Sequence, residues 1–279
     1  MTSLPNSSLP TLTDPLRDKR VRLFVGLAGF FIANAIIAEF MGVKIFSVER
    51  SLGFVPFDFT LFGQSGLAFN LSAGVLLWPF VFVMTDIINE YFGRRGVKFL
   101  SWLTVGMIAY GFLMYYLAIR LAPADFFSTM HLDALPDAER AAAAERVGDY
   151  NFAYALVFGQ GLWIIVGSLT AFLLAQLIDV FTFHQIKRVT GEEKLWLRAT
   201  GSTFVSQLVD SFVVLFVAFY LPGQIGLVMI CALALVAYAY KVMMAILLTP
   251  LIYLAHYLID RYLGAAVSLE LRRRAQRAS

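Results

Sequence analysis

Cysteine is all but absent from this chain. Cys231 is the only one, so no intrachain disulfide can hold the fold and the redox compartment stays open. Histidine is scarce too: His131, His184 and His256 lie far apart, without the spacing of a metal site. No GxxxxGK[ST] stretch is present, which excludes ATP hydrolysis by a P-loop within this chain, and no HExxH is present either. Charge is the most telling shortage. Asp, Glu, Lys and Arg make up 15% of the residues, against roughly 25% in soluble domains. Hydrophobic residues make up 59% and the mean hydropathy is +0.74, which together describe an integral membrane protein. The net charge of +3 is small and gives no reason to invoke nucleic acid.

Long apolar runs fill the space that charge leaves. A spanning helix needs about 20 mostly apolar residues. Six such segments occur, near 22–46, 68–91, 97–121, 152–180, 202–222 and 226–258, the last with room to leave the bilayer near Pro250. The expected fold is therefore all-α: a polytopic membrane protein, a bundle of six transmembrane helices. Residues 1–20 are polar with three prolines and carry no apolar core of a signal peptide, so they are expected to form a disordered cytoplasmic tail. Residues 21–262 are expected to form the six-helix membrane domain and 263–279 a basic cytoplasmic tail. The 47–66 connection is aromatic and glycine-rich, expected to hug the interface. The 122–150 connection holds a solvated helix, 138-AERAAAAERV-147.

Lys and Arg orient the bundle. Arg17, Lys19, Arg20, Arg22, Arg94, Arg95, Lys98, Lys187, Arg188, Lys194, Arg198, Arg261, Arg272, Arg273, Arg274 and Arg277 fall on one side. Lys44, Arg50, Arg120, Arg140 and Arg146 fall on the other. That imbalance places both termini in the cytoplasm.

Against this background, 78-WPFVFVMTDIINEYFGRRG-96 stands out. Asp86 and Glu90 share a helix face, with Asn89 beside them, and Asp86 lies about 9 Å inside the helix exit. An ionisable group inside a span costs several kcal/mol unless it has a partner or water, so each is a candidate for function. Gln207 and Asp210 share a face of the fifth span, Asp210 about 14 Å from its start. Lys241 lies in the middle of the sixth span; Gln160, Gln176 and Asp179 fall in the fourth; Asn34 and Glu39 fall in the first. Together they read as a polar cavity biased to the cytoplasmic half. Bland readings stand beside this one. Glu90 and Asp179 could meet Arg94, Arg95 or Lys187 at the interface, Glu39 could sit at the outer boundary, and Asp210 with Lys241 could be a helix-joining ion pair. Pro79 removes one helical hydrogen bond and could free a carbonyl beside Trp78 for a flat ring, or simply kink the helix. Gln-Leu-apolar-Asp recurs at 176–179 and 207–210, too short a match to establish a repeat.

The stretch 77-LWPFVFVMTDIINEYFGRRGVK-98, with 194-KLWLRATGSTFVSQLVDSFVVLFVAFY-220 and 240-YKVMMAILLTPLIY-253, resembles the queuosine-precursor transporter family, also described as vitamin-uptake transporters. The resemblance implies import across the bacterial inner membrane of a 7-deazapurine: 7-cyano-7-deazaguanine, its 7-aminomethyl relative, or queuine. It implies no cofactor and no catalysis, and it leaves open a homo-oligomer and the driving force. The residues suit such a ligand. A carboxylate can accept N1–H and the 2-amino group of a guanine-like edge together. Asn89 or Gln207 can supply amide donors and acceptors, and an aromatic ring such as Trp78 can stack. Asp86 or Asp210 could be the carboxylate, and spacing does not choose between them. Two other readings remain. One is a substrate-binding subunit of a multi-subunit vitamin importer; it lacks support because Ala28, Ala33, Ala35 and Ala38 of the first helix include no pair four apart. The other is a membrane-embedded enzyme, for which no metal or nucleophile pattern is visible.

Overall fold

The computed structural model describes residues 17–159, 161–190 and 195–277. The chain opens with α1 (Lys19–Met41), whose first turn is capped by Asp18: its carboxylate accepts the Arg20 backbone N–H at 2.8 Å. After Gly42 comes a compact connection that contains β1 (Ile45–Ser47), α2 (Val48–Ser51), β2 (Phe59–Leu61), β3 (Gln64–Leu67), β4 (Asn70–Ser72) and a 3-10 turn, Ala73–Leu76. β1 pairs antiparallel with β4, Phe46 opposite Leu71, and β2 pairs with β3. Glu49 pins this connection. Burial would raise its carboxyl, but the Phe69 backbone N–H and the Ser47 hydroxyl outweigh that and hold its pKa below the usual carboxylate range.

These strands correct the start of the second span. Helix was expected from residue 68; the structure begins α3 (Trp78–Ile119) only at Trp78. Gly74 is the reason the chain can turn there. A Cβ on it would lie 2.4 Å from the Ala38 carbonyl oxygen, so only glycine lets this turn touch the backbone of α1. Pro79 sits in the first turn of α3. Its missing N–H has no partner to lose there, and the freed carbonyl imagined beside Trp78 does not arise.

α3 is not one straight rod. Gly93 has φ 69° and ψ −176°, a conformation that L side chains rarely adopt, and it breaks the helix into arms 78–92 and 94–119. The rings they bring to α1 show that the arms run in opposite directions. Phe92 packs on Phe24 at 4.9 Å, near the start of α1. Phe112 and Tyr115 pack on Phe40 at 5.2 and 4.8 Å, near its end, where Gly74 also touches Ala38. The break is thus the bend of a helical hairpin that flanks α1 on its full length.

The chain continues through α4 (Met130–Asp133), α5 (Asp137–Arg146), α6 (Tyr150–Phe158), α7 (Leu162–Thr190), α8 (Leu195–Leu215), a π-helical turn Phe216–Tyr220, α9 (Leu227–Leu263) and α10 (Ala265–Arg277). α5 buries no side chain, as a solvated helix should. α9 passes through Pro250 without ending. α7 and α8 form a close antiparallel pair: a Cβ on Gly167 would lie 3.0 Å from the backbone of Val214 and Ala218. The described part of the basic tail is itself helical from Ala265 to Arg277. α10 folds back onto α3 and α9, with Arg272 reaching Tyr91 and Asp260.

Five helical runs among the described residues are long and apolar enough to cross a membrane: Lys19–Met41, Trp78–Ile119, Tyr150–Thr190, Trp196–Tyr220 and Leu227–Leu263. One core cluster gathers Phe31, Ile88, Ile108 and Phe172; a second gathers Ile87, Tyr91, Phe183 and Ile252 nearer Gly93. On the outside, Phe99, Trp102, Tyr110 and Leu113 of the second arm are exposed. A continuous apolar stripe of this size belongs against lipid, not water.

Candidate functional site

The bundle has two ends. Gly93, the end of α7 and the start of α8 lie at one; the 42–72 connection, the start of α7 and the start of α9 lie at the other. The first arm of α3 carries Asp86, Asn89 and Glu90 inward, each no more than 2% exposed. α8 brings Gln207 (4% exposed) and Asp210, α9 brings Lys241, and α7 brings Gln176 and Asp179, both buried.

A cavity of about 530 Å³ opens at the connection end. Glu39, Asn70, Trp78, Ser168, Phe172, Asp210, Ser211 and Lys241 are on its wall. A volume in this range suits a small-molecule site. Below it, toward Gly93, runs a narrow cleft of about 20 Å³ between α3, α8 and α9, walled by Phe82, Asp86, Thr203 and Gln207 among others. Val75, Trp78 and Lys241 line both spaces, so the indole and the ammonium stand at the junction. The Lys241 ammonium pairs with the Asp210 carboxylate there. The 530 Å³ cavity therefore lies in the half away from Gly93, and the narrow cleft toward it.

Several polar atoms in this interior are unspent. Asp86 Oδ1 and Gln207 Nε2, on two residues that line the cleft, have no hydrogen-bond partner, and neither do Asn89 Nδ2, Gln176 Nε2, Asp179 Oδ2 and Ser211 Oγ. A buried polar atom left without a partner costs about 1–3 kcal/mol. A binding site tolerates that cost because the ligand removes it.

Toward Gly93 the polar residues satisfy one another instead. Glu90 accepts from Lys187 Nζ and from an Arg198 guanidinium nitrogen, each at 2.9 Å, with all three side chains buried. Asn89 Oδ1 lies 2.8 Å from His184 Nε2, a pairing that requires Nε2 to carry the proton. Asp179 accepts from Ser206 at 3.0 Å, and Gln176 accepts from Thr85 at 3.0 Å. The Tyr91 hydroxyl donates to Asp260 at 2.7 Å, receives from Arg272 at 2.8 Å and sits 3.0 Å from His256 Nδ1. These bonds tie α3, α7, α8, α9 and α10 together beneath the cleft.

The sequence candidates thus divide. Asp86, Gln207, Trp78, Asp210 and Lys241 surround the cavity and cleft. Asn89, Glu90 and Gln176 lie deeper, each bonded to another helix. Asn34 faces away: its amide donates to the Phe30 carbonyl of its own helix at 2.8 Å, and it lines neither space. Gln160 lies outside the described residues. Sequence reasoning missed Ser168 and Ser211, since hydroxyls are unremarkable in apolar helices; Glu39, for which it left the outer boundary open, lies in the last turn of α1, buried in the cavity wall. It also counted Arg198 as a loop cation; only its burial reveals it as a partner for Glu90.

Three comparisons add to this geometry. The pattern of a family described as "Putative vitamin uptake transporter" matches residues 72–255, which includes the first arm of α3, α7, α8 and most of α9. A "Probable queuosine precursor transporter" of Bacillus subtilis (strain 168) is 29% identical over 160 residues, 54% of this chain and 58% of that protein. A protein of the same description from Haemophilus influenzae is 24% identical over 190 residues, 65% of this chain and 68% of that protein. The match to the first thus spans little more than half of that relative's length. No solved structure matches the chain.

Proposed function

The chain belongs to the family described as "Putative vitamin uptake transporter", and from that premise we propose that it carries a queuosine precursor, a 7-deazaguanine, inward across the bacterial inner membrane. The observation that carries the substrate class is a pair of unspent groups on residues that line one cleft with Trp78: Asp86 Oδ1, an acceptor, and Gln207 Nε2, a donor. A guanine-like edge offers the reverse set. Its N1–H and 2-amino group donate to a carboxylate, its O6 accepts from an amide, and its flat ring stacks on an indole. The names of the two relatives point to the same ligand.

Each arm of α3 serves as one crossing, which makes six and puts both termini on the same side. The Lys- and Arg-rich Gly93 end then faces the cytoplasm, and the 530 Å³ cavity opens to the outside. The cleft holds about one water. A bicyclic base therefore lodges first against Trp78 in the larger cavity and reaches Asp86 as α3, α8 and α9 part. Below, the Glu90–Lys187–Arg198 cluster seals the cytoplasmic end. The structure corresponds to an outward-open carrier in this reading, and the inward step exchanges the open end.

The test is binding of the purified protein to 7-cyano-7-deazaguanine, its aminomethyl relative, queuine, guanine and adenine. Selective binding of one or more deazaguanines, weakened at least tenfold in Asp86→Asn, is the expected result. Equal affinity for adenine, or no binding by folded protein, would refute the substrate assignment.

A further inference from the structure

We infer that the Glu39 carboxylate, with the Ser168 hydroxyl, is the site of a singly charged coupling cation, a proton or a sodium ion, taken up from the same cavity as the substrate. The inference rests on the transporter reading above and adds to it the source of energy. Glu39 lies in the last turn of α1 with 6% exposure, on the cavity wall. The Ser168 hydroxyl of α7 donates to it.

Among the described residues of the cavity wall, no cation is left over to offset its charge. From α3 and the turn before it, the cavity wall presents Ser72, Val75 and Trp78, all neutral; from α7, Ser168; from α8, Asp210 and Ser211; from α9, Lys241. Lys241 is committed to Asp210. Two carboxylates therefore share one ammonium among the described residues of this wall, and the excess negative charge falls on Glu39. Its position makes that charge less welcome still. The C-terminal end of a helix carries partial negative charge from its unsatisfied carbonyls, and Glu39 sits within that end of α1. A carboxylate held in a membrane interior against like charge is costly. A bound monovalent cation removes the cost.

A second observation points into the same space. Ser211 Oγ is fully buried, lines the cavity and has no hydrogen-bond partner. It supplies a further oxygen from a residue of the same cavity wall. No group of three His, Cys, Asp or Glu that could hold a metal exists among the described residues, so the donor set suits a single charge and not a divalent ion. Because Lys241 lines both the cavity and the cleft below, loading at Glu39 alters the field on the residue that stands over Asp86. That provides a route by which cation and substrate affect each other.

The experiment uses the full chain in proteoliposomes, with labelled 7-cyano-7-deazaguanine. Accumulation is measured under an inward proton gradient, an inward sodium gradient, or neither, and self-exchange is measured with equal substrate on both sides. The expected wild-type result is at least tenfold faster accumulation under one gradient alone, and which gradient acts identifies the cation. Glu39→Gln should lose that response, so that its accumulation with the gradient falls to its own rate without one; Ser168→Ala should weaken it. A Glu39→Gln protein that still follows the gradient, or a wild type that exchanges substrate yet ignores both gradients, overturns the inference. If the wild type exchanges no deazapurine at all, the transport reading falls separately. The cation site is then decided by infrared difference spectra of wild type against Glu39→Gln. A protonated-carboxyl band, or a carboxylate band that shifts with sodium, upholds it; a carboxylate band indifferent to both pH near neutrality and sodium refutes it.

Discussion

Glu90 and Arg198 meet at 2.9 Å in a place where neither has access to solvent, and Lys187 closes on the other carboxylate oxygen at the same distance. Three charges from α3, α8 and α7 thereby neutralise one another in part. Removing the carboxylate strands two buried cations, and breaking a buried pair typically costs about 3–5 kcal/mol. Glu90→Gln is expected to lower the thermal midpoint of the detergent-solubilised protein markedly, while the fraction that stays folded keeps its ligand affinity within about threefold. A thermal melt paired with a binding isotherm checks both halves. A normal melt with lost binding would move Glu90 from the seal into the substrate site.

Asp86 predicts the opposite pattern. Its carboxyl group is buried with Oδ1 unbonded, so the empty protein bears a cost that a bound ligand relieves. Asp86→Asn keeps the shape and removes the charge. The variant should melt higher than wild type when empty and bind a deazaguanine about 10–100-fold more weakly, which corresponds to a charge-assisted hydrogen bond of about 1.5–3 kcal/mol. Stability gained with function lost is the mark of a site residue. A melt that falls along with affinity would instead make Asp86 a structural group.

Much of this was legible beforehand, for reasons that particular residues make clear. Asp86 and Lys241 declared themselves because a charge in an apolar run has little else to explain it. The side on which each end of the bundle collects Lys and Arg was countable. What could not be read was pairing. Glu90 and Arg198 are separated by 108 positions, and periodicity carries no information about which helices meet. Glu39 was visible as a letter but not as a cavity residue, because its depth depends on how the 42–72 connection folds over the end of α1. The strands in that connection escaped notice since Phe59–Leu61 and Asn70–Ser72 are three-residue pieces held by backbone bonds and by Glu49, too short for alternation to show.

The Asp210–Lys241 pair separates two roles that a single substitution confuses. Lys241→Met leaves Asp210 uncompensated beside the cavity, so loss of uptake alone says little. Lys241→Met combined with Asp210→Asn removes both charges and should restore expression and melting to near the wild-type level. Uptake in proteoliposomes should remain below about a tenth of wild type, because the ammonium at the junction of cavity and cleft is missing. Recovery of uptake in the double variant would show that the pair only joins α8 to α9.

Gly93 tests the link between the hairpin bend and the C-terminal helix. Its φ of 69° is strained for any other residue, and a Cβ there would sit 3.0 Å from the Ala275 carbonyl oxygen and 3.2 Å from its Cα. Gly93→Ala should therefore cost about 1–3 kcal/mol through backbone strain and, in addition, push α10 from its seat. The push should be visible apart from the strain. Arg272 holds α10 down through Tyr91 and Asp260, so Arg272→Ala should release the helix without touching the bend. Limited proteolysis after residue 263 is expected to quicken in both variants, with the melting point falling further in Gly93→Ala. Equal protease resistance in both variants and wild type would mean that α10 is held by its other contacts, and the bend would then be independent of it.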